Sequence, residues 1–125
     1  MLPRHHDAAP ESGYIGSTSV EVCTLDSLFD RLLSAPLPRE IYLKIDTQGF
    51  EREVLQGAKN SLQMIKTVQL EMSLVPLYRD APLFGEICDL MQKSGYTLVS
   101  LEPGFVDIES GQLLQADGIF RRITG

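Results

Sequence analysis

Tryptophan is absent from this chain, cysteine occurs twice, and basic charge is sparse. Long hydrophobic runs are missing too. A membrane-spanning helix needs about 20 consecutive apolar residues, and no stretch approaches that length. The opening "MLPRHHDAAP" lacks the apolar core of a secretory leader, so none is expected. Lys and Arg number 11 against 17 Asp and Glu, giving a net charge of -6. The longest basic run is Arg121-Arg122. Nucleic acid and anionic membrane both reward clustered basic side chains, so neither is expected as a partner. Cys23 and Cys88 lack metal-ligand spacing, and each lies in an apolar-periodic segment. They read as reduced thiols of a core. Together these absences describe a cytoplasmic protein.

What is present fits one domain. The chain has 125 residues, 43% of them hydrophobic and 22% charged, ordinary values for a globular protein. A chain of this size buries roughly 60–70% of its unfolded surface. Residues 1–18 are rich in Pro, Gly, Ser and His without a period, and read as a loop or disordered arm. His5 and His6 are adjacent, would point apart on any regular element, and receive no role.

Residues 19–125 are periodic. "SVEVCTL" (19–25) alternates and predicts a half-buried strand with Val20 and Val22 inward. Leu25, Leu28, Phe29, Leu32 and Leu33 then fall at helical spacing, with Thr24 or Asp26 as N-cap and Pro36 and Pro38 as the stop. "IYLKID" predicts the next strand, followed by a helix over about 50–56 and a further helical turn in "GAKNSLQMI". "TVQLEMSL" (67–74) predicts another strand. Asp80 is an N-cap candidate for the helix "LFGEICDLMQKS", Pro82 sits in its first turn, and Gly95 closes it. Three β segments finish the chain, over 96–102, 105–110 and 117–123. Strands alternating with helices predict helices packed on a mostly parallel sheet, with the terminal strands antiparallel.

In an open parallel α/β sheet, ligands bind beyond the carboxyl ends of the strands. Asp46 ends one strand and Glu71 lies near the end of the next. Consecutive βαβ strands are usually neighbours, so both carboxylates should share a rim. Lys44 lies two positions before Asp46, on the same strand face, near enough to bias its ionisation. Gly49 permits a sharp turn into the helix, whose first N–H groups favour an acid such as Glu51.

"LKIDTQGFEREVLQGA" resembles the signature of the FkbM family of S-adenosylmethionine-dependent methyltransferases. "VEVCTLDSLF", "VQLEMSLVPLY" and "LQADGIFRR" agree in order and spacing, so the resemblance runs over about residues 14–122. It implies a class I methyltransferase fold, a Rossmann-like sheet whose last strand is inserted antiparallel. "IYLKID", "TVQLEM", "YTLVSLE" and "DGIFRR" would be its fourth to seventh strands. The implied reaction is O-methylation of a hydroxyl on a sugar, lipid or secondary metabolite. By that resemblance Asp46, Glu71 and Lys44 are the catalytic candidates, and Asp46, Gln48 and Gly49 the cofactor-binding ones.

Two departures stand out. Gln48 occupies a position that is usually Glu. No Gly-x-Gly loop occurs, since "GYIGS" (13–17) follows no strand and opens no helix. The chain therefore reads as the C-terminal half of the domain, lacking the main cofactor loop, with weak or no cofactor binding and no activity expected in isolation. Mg²⁺ held between Asp46 and Glu71 is a less favoured alternative to metal-free chemistry. The alternative function is a non-catalytic remnant or interaction module. It would pair as a homodimer, or with a partner chain, through the exposed edge of "IYLKID".

Overall fold

Alternation along "TVQLEMS" gives one strand an apolar face and a polar face, and the sheet is built around that strand. The computed structural model describes residues 15–33, 36, 38 and 40–123. Its elements are helix α1 (Leu25–Leu32), strand β1 (Tyr42–Ile45), helix α2 (Glu51–Gln56), a 3-10 turn (Ser61–Met64), strand β2 (Thr67–Ser73), helix α3 (Phe84–Lys93), strand β3 (Tyr96–Pro103) and strand β4 (Gln115–Arg122). The sheet order is β1-β2-β4-β3. β1 and β2 are parallel, while β4 runs antiparallel to both of its neighbours. The expected mostly parallel sheet is thus mixed, with the last strand inserted between β2 and β3.

The core lies against one face. Ile45, Val68, Leu70, Met72, Tyr96 and Phe120 from the strands meet Phe29, Leu55, Ile87 and Met91 from the three helices. Gly118 sits on this face opposite Leu70. A Cβ there would collide with the Met72 methyl and lie 2.9 Å from the Phe120 ring, so the close packing needs a residue without a side chain. At the β3 end, the Tyr96 hydroxyl donates to the Leu62 and Ile65 carbonyls at 2.9 and 2.6 Å. The Arg122 guanidinium stacks 4.5 Å from the Tyr96 ring centre and donates to the Leu62 carbonyl at 3.1 Å.

Helix α1 starts where expected, with the Thr24 hydroxyl accepting the Ser27 N–H at 3.1 Å. Asp26 is therefore not the cap. Its carboxylate instead accepts the Asn60 and Ser61 N–H groups and the Ser61 hydroxyl, tying α1 to the 3-10 turn. Gly95 closes α3 with φ 92.

Several expectations are corrected. Residues 19–24 form no strand, and Val20 and Val22 are 74% and 78% exposed. Their alternation has no neighbouring strand to pair with, and an extended segment alone is not stable. Cys23 is exposed for the same reason, while Cys88 is partly buried against the core; both are free thiols. Residues 105–110 make only an isolated bridge, Val106 to Leu113. There the Asp107 carboxylate accepts the Glu109 N–H and the Ser110 hydroxyl, which favours a turn over a ladder. Asp80 does not cap α3, whose N-cap is Leu83 without a side-chain bond. Asp80 has φ 57, and its carbonyl receives the Arg52 guanidinium instead. The expected arm over 1–18, with His5 and His6, lies outside the described residues up to position 14.

Candidate active site

The second face of β2 carries Thr67, Gln69 and Glu71, all half-buried. The parallel register pairs Lys44 with Gln69 and Ile45 with Leu70. One further step along β1 brings Asp46 beside Glu71, and their carboxyl groups are hydrogen-bonded to each other. The antiparallel register places Asp117 of β4 directly opposite Glu71 on the other side. The two candidate acids therefore share a rim, as the strand-end argument anticipates, and a third acid joins them.

The turn after β1 brings a fourth. Gln48 and Gly49 take φ 52 and φ 105, so two successive residues are left-handed or nearly so. This reversal lets α2 begin at Glu51, which is only 5% exposed. The Gly49 N–H donates to the Glu51 carboxylate at 3.0 Å to one oxygen and 3.3 Å to the other. Asp46 does not cap α2, whose N-cap is Phe50. Arg52 anchors the helix from outside, donating to Glu86 of α3 at 2.5 and 2.9 Å.

The four acids are not equivalent. Glu51 has the Gly49 N–H. Asp117 accepts the Gln69 amide at 3.1 Å, and the Gln69 oxygen accepts the Tyr42 hydroxyl. Among the described residues Glu71 has no N–H donor and lies beside Asp46, another carboxyl group. Burial pushes the Glu71 carboxyl above its ordinary range, and the negative charges of Asp46, Asp117 and Glu51 raise it further, as does the bond to Asp46.

Lys44 shares the face but not the cluster. It is exposed, makes no ion pair among the described residues, and is not among the charges acting on Glu71. Gln48 is exposed at the turn. Among the described residues, no group of three or more His, Cys, Asp or Glu is arranged to hold a metal ion. A cleft of about 390 Å³ opens between α2 and the segment before α1, bordered by Val22, Leu25, Phe50 and Val54. None of the four acids lines it. No described helix is long and apolar enough to cross a membrane.

Asp117, Gln69 and Tyr42 are not singled out by sequence reading. Their roles depend on the register of β4 against β2, which leaves no trace in local spacing.

A family model described as the methyltransferase FkbM domain matches residues 3–98, well over half of the chain. The match includes Asp46, Gln48, Gly49 and Glu71 and stops within β3, so β4 and Asp117 lie beyond it. Neither the curated proteins nor the solved structures contain a match.

Proposed function

Since the chain belongs to the methyltransferase FkbM family, we propose that its acidic rim is the acceptor side of an O-methyltransferase site using S-adenosylmethionine. The sheet order β1-β2-β4-β3 supports a class I reading in which these are the fourth, fifth, seventh and sixth strands. In that reading the chain supplies the C-terminal half of the domain and acts in the cytoplasm on a small hydroxyl compound.

The observation that carries the proposal is the Asp46–Glu71 pair. A half-buried Glu71 beside an exposed Asp46, with no cation among the described charges acting on Glu71, favours a positively charged ligand group. That preference fits a sulfonium, and Asp46, Gln48 and Gly49 at the turn are the residues that would hold the cofactor. When bound, the cofactor supplies an electrophilic methyl group.

The chain's own side chains do the rest. Asp46 accepts a hydrogen bond from the acceptor hydroxyl and aims its oxygen. Orientation of this kind is worth up to roughly 7–11 kcal/mol. Transfer would break the methyl–sulfur bond as the O–C bond formed, leaving a neutral thioether, and the hydroxyl proton would pass to the Asp46–Glu71 pair. An isolated carboxylate, with a reference pKa near 4, is a weak base for an alcohol. Glu71, whose proton affinity is raised by burial and by the neighbouring negative charges, is better suited to that step.

The test is an NMR titration of the labelled chain with S-adenosylmethionine, which detects millimolar binding. Shifts should concentrate at residues 46, 48, 49 and 71 and disappear in Asp46→Asn. Shifts confined to the cleft beside Phe50, or shifts undiminished in Asp46→Asn, would sink the assignment.

A second reading is favoured by one observation. Among the described residues β1 ends the sheet, and residues 15–24 do not pair with it. Its outer edge is thus available to a second copy or another chain. Light scattering across a concentration series tests this, and a monomer at high concentration refutes self-pairing.

A further inference from the structure

The helix-covered face of the sheet runs on past its helices. Among the described residues β3 pairs only with β4 and forms the second edge of the sheet. Its Leu98, Leu101 and Pro103 lie opposite Phe120, Gly118 and Ala116, residues of the core face. Over the first part of β3 that face is covered. Tyr96 is buried, and Leu98 packs against the core that holds Ile87 and Met91 of α3. Further along, Leu101 is 45% exposed. Val99, left unpaired by the irregularity between Leu98 and Ser100, is 47% exposed. The apolar surface continues into the turn toward β4, where Phe105 and Val106 are exposed and Ile108 is 95% exposed. That turn is ordered. The Asp107 carboxylate accepts the Glu109 N–H at 3.2 Å and the Ser110 hydroxyl at 2.8 Å, and its carbonyl accepts the Gly111 N–H at 2.8 Å. Single exposed apolar residues need no explanation, but an apolar stretch rimmed by polar groups marks contact with another molecule.

Charge narrows what that molecule is. Between Lys93 and Arg121 the chain has no Lys or Arg, while Glu102, Asp107, Glu109 and Asp117 all fall there. Glu102 and Glu109 form no ion pair among the described residues. The surface is thus apolar with an acidic border. A second copy would bring the same acids together, and an anionic membrane would be repelled. Strand addition along the outer edge of β3 is hindered as well, because the strand is irregular after Leu98 and ends at Pro103, which lacks an N–H. Side-chain docking in the layer that α3 occupies remains, and a helix about 10–12 Å across fits that layer. We propose that the surface from Val99 to Ile108 docks an amphipathic helix of another polypeptide, whose apolar stripe is bordered by Lys or Arg. The stripe packs on Val99, Leu101 and Ile108, and the basic border meets Glu102 and Glu109. This surface begins after residue 98, where the family match ends, and does not rest on the methyl-transfer reading.

The probe is a synthetic amphipathic helix of Leu and Lys, about 18 residues long so that it is helical on its own. A helix with the same Leu stripe and Gln in place of Lys is the control. Binding to the isotope-labelled chain is followed by NMR without cofactor. The Leu/Lys helix should shift residues 99–109, and the Leu/Gln helix should bind about tenfold more weakly. Ile108→Ser changes a side chain that packs on almost nothing, so folding is not at stake, and it should weaken binding about fivefold or more. Glu109→Gln should weaken binding and flatten its dependence on salt. Equal binding of the two helices, no binding of either, or shifts centred on Asp46 and Glu71 overturns the proposal. So does an affinity unchanged in Ile108→Ser. A dimer seen by light scattering that dissociates in Ile108→Ser also overturns it, because a second copy is then the occupant.

Discussion

Val68, Leu70 and Met72 leave β2 on one side and are fully buried, while Gln69 and Glu71 leave it on the other and remain half-open. The two faces of one strand therefore oppose each other energetically. The first is stabilised by removing apolar surface from water. The second gathers like charges at a rim, which works against the folded state whenever those groups are ionised. Opposition of this kind is common where a site requires an arrangement that stability alone would not select.

The largest effect should come from the closed face. Phe120→Ala is expected to cost about 3–5 kcal/mol, read by urea denaturation. Gly118→Ala forces a side chain against Met72 and Phe120 and should cost about 1–3 kcal/mol. A stability equal to wild type in either variant would mean that the face is loosely packed. At the turn that separates the faces, Gly49→Ala places a side chain at φ 105 and should cost about 1–3 kcal/mol.

On the open face the sign reverses. The folded value of Glu71 is raised, so the folded state holds its proton more tightly than the unfolded chain does. Stability should then fall as pH rises from the ordinary carboxylate range through the raised folded value. Glu71→Gln removes that loss. Thermal melts at pH 4 and pH 8 should show the variant gaining on the wild type at pH 8. A variant that loses stability at both values would refute the electrostatic account. The smallest effect is expected for Lys44→Ala, within about 0.5 kcal/mol and without a change in the Glu71 titration. A clear shift of that titration would bring Lys44 into the cluster.

The same contrast explains what could be read from the sequence. The closed face is written in periodicity: β1, β2, α1 and α3 all lie within a residue or two of their expected bounds. Asp46 and Glu71 were legible because consecutive parallel strands bring their carboxyl ends to one rim. Alternation at 19–25 was misleading because it describes a strand's faces and not its partner. Asp117 was illegible because an antiparallel neighbour is fixed by where β4 enters the sheet. Asp26 shows the same limit, since its partners Asn60 and Ser61 lie far along the chain.

Strand order carries a last consequence, for the growing polypeptide on the ribosome. β4 is synthesised after the other three strands, yet it joins β2 to β3, which have no ladder with each other. Until residues 115–122 emerge, β3 has no strand beside it and one side of β2 lies bare. Unpaired edges are where nascent chains associate wrongly. The closing strand thus acts as a late latch, and the interval before it arrives is when this chain is most exposed to capture by its neighbours.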